Sequence, residues 1–197
     1  MTERKARRIL IVGGTGFVGP FLVKELRSRW PDDVIFVTGQ AMSAEVEAPI
    51  KLDVTDRTDV QHLVTDLRPD IVVHMAAVST FGASIHDPDT AWQVNLHGTR
   101  HVAESVLSSV PEALFLHIST GEVYGRSCLI HDPVDESARL DPGSVYATTK
   151  AAADLAIGEL TGRGLRAIRL RPFNHTGKGQ SEALFVPAMA AQIARAE

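Results

Sequence analysis

The chain has 197 residues, 44% hydrophobic and 22% charged, enough to bury a sizeable core within about one domain. Its 20 basic and 24 acidic side chains give a formal net charge of -4, which excludes a broad field for nucleic acid or an anionic membrane but allows a local anion site. Cys128 is alone, which rules out an internal disulfide and a cysteine zinc cluster; no metal is expected, and a reducing, cytoplasmic setting is.

Residues 1–8 are charged and lead into only a short apolar run, so they read as a solvated tail rather than a signal peptide or membrane span. Ile9-Leu10-Ile11-Val12 reads as a buried strand, and Gly13-Gly14-Thr15-Gly16-Phe17-Val18-Gly19 as the turn into a helix. The glycines scan as Gly14-x-Gly16-x-x-Gly19 or as Gly13-x-x-Gly16-x-x-Gly19. Glycine lets the backbone turn tightly and approach a phosphate, while the helix start offers unpaired N–H groups to the anion. A ligand-free tight turn is the plainer alternative; the placement between strand and helix favours a dinucleotide, with Gly13, Gly16, Phe17, Val18 and Gly19 against it. Phe17, Val18, Phe21, Leu22 and Leu26 then predict one buried stripe on a helix over 17–30, with Pro20 in its first turn.

Residues 34–37 predict a second buried strand. At its end, where a carboxylate would hold the ribose 2′-hydroxyl of NAD, stand Thr38, Gly39 and Gln40, with no acid before Glu45. That leans toward NADP, but no arginine follows for a 2′-phosphate, and NADP or NAD stays open. A short strand within 50–56, a helix over 58–67 and a strand over 71–77 come next. Beyond strand ends of an open parallel sheet, Asp53, Val54, Ala76, Ala77 and Ser79 are placed to line the cofactor, although a lone Asp53 is also an ordinary turn former. A single long helix is expected over 88–109, where Asn95 is either a plain polar residue or a buried amide bracing the site.

A strand over 114–118 runs into Ser119-Thr120-Gly121-Glu122-Val123-Tyr124-Gly125, then a proline-bearing loop and a helix over 144–161. Residues 165–170 predict another strand, 171–180 a polar loop and 184–196 a helix. The alternation specifies a doubly wound parallel α/β sheet, with helices on both faces. Tyr146 and Lys150, four apart, share one helix face. A surface pair is the common outcome of that spacing. Converging with Thr120 at the sheet's ligand edge, the pair suits proton transfer instead: an ammonium near the phenol is expected to lower its pKa, letting Tyr146 shuttle a proton on a substrate oxygen that Thr120 also hydrogen-bonds.

The glycine turn, Asp53-Val54-Thr55-Asp56, Ala76-Ala77, the 119–125 segment and Tyr146-x-x-x-Lys150 together resemble the extended short-chain dehydrogenase/reductase family, over nearly the whole chain. The run Arg171-Pro172-Phe173-Asn174-His175-Thr176-Gly177-x-Gly179-Gln180, with Phe185-Val186, is more narrowly similar to the branch that handles GDP-6-deoxy-4-keto-mannose and GDP-mannose. The resemblance implies a catalytic Thr120, Tyr146 and Lys150, with Ser79, Thr120, Glu122 and Asn174 toward a GDP-linked nucleotide-sugar, and a homodimer through helices 92–109 and 144–161. The branch's dehydratases carry Thr, then Asp or Ser, then Glu. Gly121 removes the middle polar group and makes Glu122 either a surviving proton-transfer residue or, more simply, a loop residue. A 4-keto reductase is therefore favoured; a 4-epimerase, a 4,6-dehydratase and a cofactor-binding protein without turnover are the alternatives. Residues 1–180 are expected to form the dinucleotide-binding Rossmann domain and 181–197 the start of a substrate-binding region that is cut short.

Overall fold

A computed structural model describes residues 5–40, 46–79, 81–130 and 133–196; Glu45, counted above as the first acid after the second strand, lies outside them. The strands are β1 (Arg8–Val12), β2 (Val34–Gly39), β3 (Ile50–Lys51), β4 (Ile71–His74), β5 (Leu114–Ile118) and β6 (Ala167–Leu170). They form one parallel sheet in the order β3-β2-β1-β4-β5-β6. The order reverses beside β1, so the crevice at a doubly wound sheet's switch point opens beyond the carboxyl ends of β1 and β4.

β1 is apolar throughout because both sheet faces are covered. Ile9 and Ile11 pack with Val23, Val37 and Val73 on one side. Leu10 and Val12 pack with Val72, Phe115, Val102, Val106 and Ile157 on the other. Helix α1 (Gly19–Arg29) supplies the first side, and Pro20 sits in its first turn, where a missing N–H is harmless. The stripe predicted for it is only partly right: Val23 is its buried hydrophobic, Leu22 and Leu26 flank that cluster, and Phe21 is exposed, edge-on to Phe17 at 5.7 Å. Helix α2 (Arg57–Leu67) begins at Asp56, whose carboxylate accepts the N–H groups of Thr58 and Asp59. Strands β3 and β4 are shorter than predicted, because Asp53 and Ala76 already belong to the turns at the sheet edge.

A short helix α3 (Phe81–His86) lies where none was expected. The single helix expected over 88–109 is three segments: α4 (Pro88–Trp92), a π-helical turn (Gln93–Gly98) and α5 (Thr99–Ser109). Helix α6 (Val145–Gly162) starts at Ser144, whose hydroxyl accepts the Ala147 N–H. Helix α7 (Phe185–Ala196) has no buried residue.

The turn after β1 separates glycines the fold requires from one it does not. A Cβ at Gly13, where φ is +83°, would lie 2.5 Å from the Ala76 backbone, and one at Gly19 would run into the Gly14 carbonyl. At Gly16 a Cβ would meet only the Gly13 carbonyl, at 3.5 Å. In denaturant titrations Gly19→Ala is expected to lose about 2–3 kcal/mol of stability, while Gly16→Ala stays within about 0.5 kcal/mol of the parent. Asp56→Ala, which removes the α2 cap, is expected to lose about 1 kcal/mol in the same titration.

Candidate dinucleotide and proton-transfer site

The N–H groups of Gly13 and Gly14 both donate to the Thr38 carbonyl, at 3.0 and 2.9 Å, fastening the turn to the end of β2. The turn delivers the chain to α1, whose N-terminus at Val18 has no side-chain cap. Helices α2, α4 and α6 each have one, from Asp56, Asp87 and Ser144. An uncapped helix start above an exposed glycine without steric need to be glycine leaves open space beside unpaired N–H groups, which suits a pyrophosphate by charge. Phe17 is half-buried and Val18 exposed beside it.

The remaining rim residues differ in character. Ala76 meets the turn directly at Gly13. Val54 is buried and so close to Gly98 that a side chain there would strike it, and the His101 ring holds the Val54 carbonyl at 3.0 Å. The Asp53 carboxylate is occupied locally, accepting the Thr55 N–H at 2.9 Å and the Thr55 hydroxyl at 2.7 Å. The Thr55 N–H, then its hydroxyl, hold the carboxyl below the usual range. Asp53 is thus the turn former that its sequence position allowed. Ala77 is half-buried, and Ser79 and Asn174 are exposed.

Asn95 is the buried brace rather than a plain helix residue. Its side-chain oxygen accepts the Val78 N–H at 2.8 Å, and its amide donates to the Val78 carbonyl at 3.3 Å and to the Thr149 hydroxyl at 2.9 Å. Thr149 in turn donates to the Tyr146 carbonyl. Asn95 lies in the π-helical turn, and the Thr99 hydroxyl donates to its carbonyl at 2.7 Å. That hydroxyl has one proton, so the His74 ring 2.9 Å away must donate to it from Nε2. The strand-end loop, the π turn and α6 are thereby locked together.

On α6, Lys150 is 2% exposed and donates from Nζ to the Ile118 carbonyl at 2.6 Å. Burial pushes its pKa down to about 8, against an opposing pull from the Asp154 carboxylate. Below it the register aligns His74, His117 and Arg169 across three strands. Burial, with the Lys150 charge, lowers His74 to about 3 and His117 well below its ordinary value, so both rings are neutral. Sequence reading missed this row, although a histidine amid Val72, Val73 and Phe115 signals burial beneath a helix.

Thr120 accepts the Glu122 N–H at 3.2 Å as the cap of a 3-10 turn (Gly121–Val123), and its side chain is near enough to Tyr146 to draw the phenol's pKa down. The three residues expected to converge do so, but the expected direction of the Tyr146 shift is wrong. Burial first, and the Glu122 charge second, raise the phenol above its ordinary value, against a smaller opposing pull from the Thr120 side chain. Lys150 spends its contact on the Ile118 carbonyl. A phenol so held is a proton donor near neutrality rather than a base.

The chain is 30% identical over 190 residues to a GDP-6-deoxy-D-mannose reductase of Pseudomonas aeruginosa, covering 96% of this chain and 59% of that one. It is 34% identical over 192 residues to a dTDP-glucose 4,6-dehydratase of Mycobacterium tuberculosis, covering 91% and 57%. It thus spans somewhat under three fifths of the length of these relatives. Among solved structures it superposes on RMD from Pseudomonas aeruginosa complexed with NADPH, with a TM-score of 0.80 and 29% identity over 96% of this chain and 60% of that one. The model of the NAD dependent epimerase/dehydratase family matches residues 9–197, from β1 through the glycine turn, Thr120, Tyr146 and Lys150, and the chain belongs to that family.

Proposed function

We propose that this chain binds NADP or NAD and serves reduction of the 4-keto group of a GDP-linked 6-deoxy-4-keto-hexose. The observation that carries the choice of reduction is the packing at Gly121: a Cβ there would lie 2.9 Å from the Phe173 ring. That ring stacks on Tyr124 at 6.4 Å and is 61% exposed, so an Asp or Ser at 121 would require Phe173 to turn aside into solvent. The polar group that dehydratases of this branch place between Thr and Glu is absent here, and the Phe173 ring lies over its position. The 171–180 segment and the Pseudomonas reductase support the GDP-linked sugar. A 4,6-dehydratase is the second reading, favoured by the reach of the Glu122 charge to Tyr146 and by the mycobacterial relative.

In this reading the glycine turn and the uncapped start of α1 hold the pyrophosphate, and Asp53, Val54, Ala76, Ala77 and Ser79 form the wall beside it. The bound nicotinamide supplies hydride. Tyr146 gives its phenolic proton to the ketone oxygen, which Thr120 also holds, and Lys150 keeps a fixed positive charge beneath the pair. Glu122 and Asn174 face the sugar nucleotide. Two copies associate through α4–α5 and α6, where Leu155 is 61% exposed.

The deciding experiment is incubation with GDP-6-deoxy-4-keto-mannose and NADPH or NADH, with the product identified by NMR. Consumption of reduced nucleotide to a GDP-6-deoxyhexose is expected; none would leave the epimerase and binding-only readings. Tyr146→Phe is expected to cut turnover at least about 100-fold with nucleotide binding retained. Gly16→Ala, neutral for the fold, is expected to weaken NADPH binding at least about tenfold by fluorescence titration. Lys150 is charged below its value of about 8, and Tyr146, raised by burial, stays protonated above that point. Turnover should therefore be level near neutrality and fall as the pH rises through about 8.

A further inference from the structure

Below the candidate site lies a buried ionic cluster to which the proposed proton transfer gives no part. Asp154 is one helical turn beyond Lys150 and fully buried. Its Oδ1 accepts from Arg169 Nη1 at 2.9 Å and from Arg171 Nη2 at 2.8 Å, and its Oδ2 accepts from Arg171 Nε at 3.0 Å. The Arg171 fork is thus bidentate, the arrangement that fixes direction as well as distance.

Arg171 continues outward. Its Nη1 donates to the Tyr124 hydroxyl at 2.9 Å, and its guanidinium lies over the Tyr124 ring at 5.1 Å. Tyr124 stacks on Phe173, whose ring closes over Gly121, and the Gly121 N–H donates to the Pro172 carbonyl at 2.7 Å. One guanidinium therefore joins α6, which carries Tyr146 and Lys150, to the turn that carries Thr120 and Glu122 and to the loop that carries Asn174. Burying such a pair brings little net stability over an apolar replacement, so stability alone is a poor reason for it.

We propose that Asp154 and Arg171 are positioning residues: the carboxylate holds the Lys150 charge in place from one turn away, and the guanidinium sets the register between α6 and the Thr120 turn. The proposal rests on the reading of Tyr146 and Lys150 as the proton-transfer pair. Lys150 acts on His74 from β4 and His117 from β5, both neutral, and on its own helix Asp154 acts on it; beyond these stand Arg169 on β6 beside His117, Tyr146 one turn earlier on α6, and exposed Glu122 in the turn after β5. Asp154 is the buried carboxylate of that set.

The consequence is a pair of shifts with opposite sign. Asp154→Asn removes the attraction, so Lys150 should release its proton at lower pH. Arg171→Met leaves the carboxylate less neutralised, so Lys150 should hold its proton to higher pH. Mere loosening of the packing would hydrate Lys150 and move both variants upward, toward an ordinary lysine.

The test is an NMR pH titration of the 197-residue chain labelled with 13C at lysine Cε, with the Lys150 resonance assigned by its loss in Lys150→Met. The parent should titrate near 8, Asp154→Asn about one unit lower and Arg171→Met higher. Asp154→Asn leaves two guanidiniums without their carboxylate; if it does not fold, Asp154→Asn/Arg171→Met is compared with Arg171→Met alone and is expected to titrate below it. A Lys150 that is not lowered, in Asp154→Asn against the parent or in the double variant against Arg171→Met, overturns the proposal. The titration needs no sugar, so a chain that reduces no GDP-linked ketose passes or fails it all the same.

Discussion

An ammonium group buried under a helix is the constraint on which the half of this structure around α6 depends. Lys150 is 2% exposed, and among the described residues its charge is supported by the Ile118 carbonyl and the field of Asp154. Each of these partners must then be fixed. Ile118 is fixed by the pairing of β5 with β6, and Asp154 by the two arginines that follow from β6. The histidines beneath stay neutral for the same reason that Lys150 is strained, since a further positive charge there would have no counterion. Basic residues aligned across β4, β5 and β6 thus coexist because only some of them are ionised.

The nucleotide half depends on contact distance rather than charge. Gly13 lets the turn rest on Ala76, and Gly19 lets α1 start against Gly14, so the helix N-terminus is drawn onto the sheet edge. Asn95 brings the opposite wall to the same edge by holding both backbone groups of Val78 and reaching Thr149 on α6. The π-helical turn makes that reach available, and the Thr99 hydroxyl satisfies the Asn95 carbonyl within it. The two halves meet through α6, one side of which answers to Asn95 and the other to Asp154.

What the sequence disclosed follows from this division. Periodicity and glycine spacing are local, and they sufficed for the parallel sheet, the α1 turn with Pro20, and the placing of Thr120, Tyr146 and Lys150 at one edge. Val23 displaced Phe21 as the buried residue of α1 because Phe17 and Val18, which anchored the expected stripe, precede the helix, and within it Gly19, Leu22, Val23 and Leu26 form the face toward the sheet. The π turn left no mark because Trp92, Val94 and Leu96 suit either helix. The direction of the Tyr146 shift was beyond reach for a different reason. It is decided by burial and by Glu122, and a spacing of four residues says only that Lys150 is near, not that its ammonium is turned to the Ile118 carbonyl.

That turning away bears on the chemistry the fold favours. Were Lys150 to point its charge at the phenol, Tyr146 would rest closer to the phenolate and stand ready as a base, as oxidation of an alcohol requires. With the ammonium tied to Ile118 and Glu122 nearby, Tyr146 rests as the phenol and stands ready as an acid. Protonation of a ketone oxygen is the step such a group serves without first being recharged. The Gly121 and Phe173 packing bears on the same proposal from shape, since the exposed Phe173 ring lies over the position where an additional polar group would stand. Two observations of different physical kind, one electrostatic and one of shape, thus support the reduction proposed for this edge of the sheet.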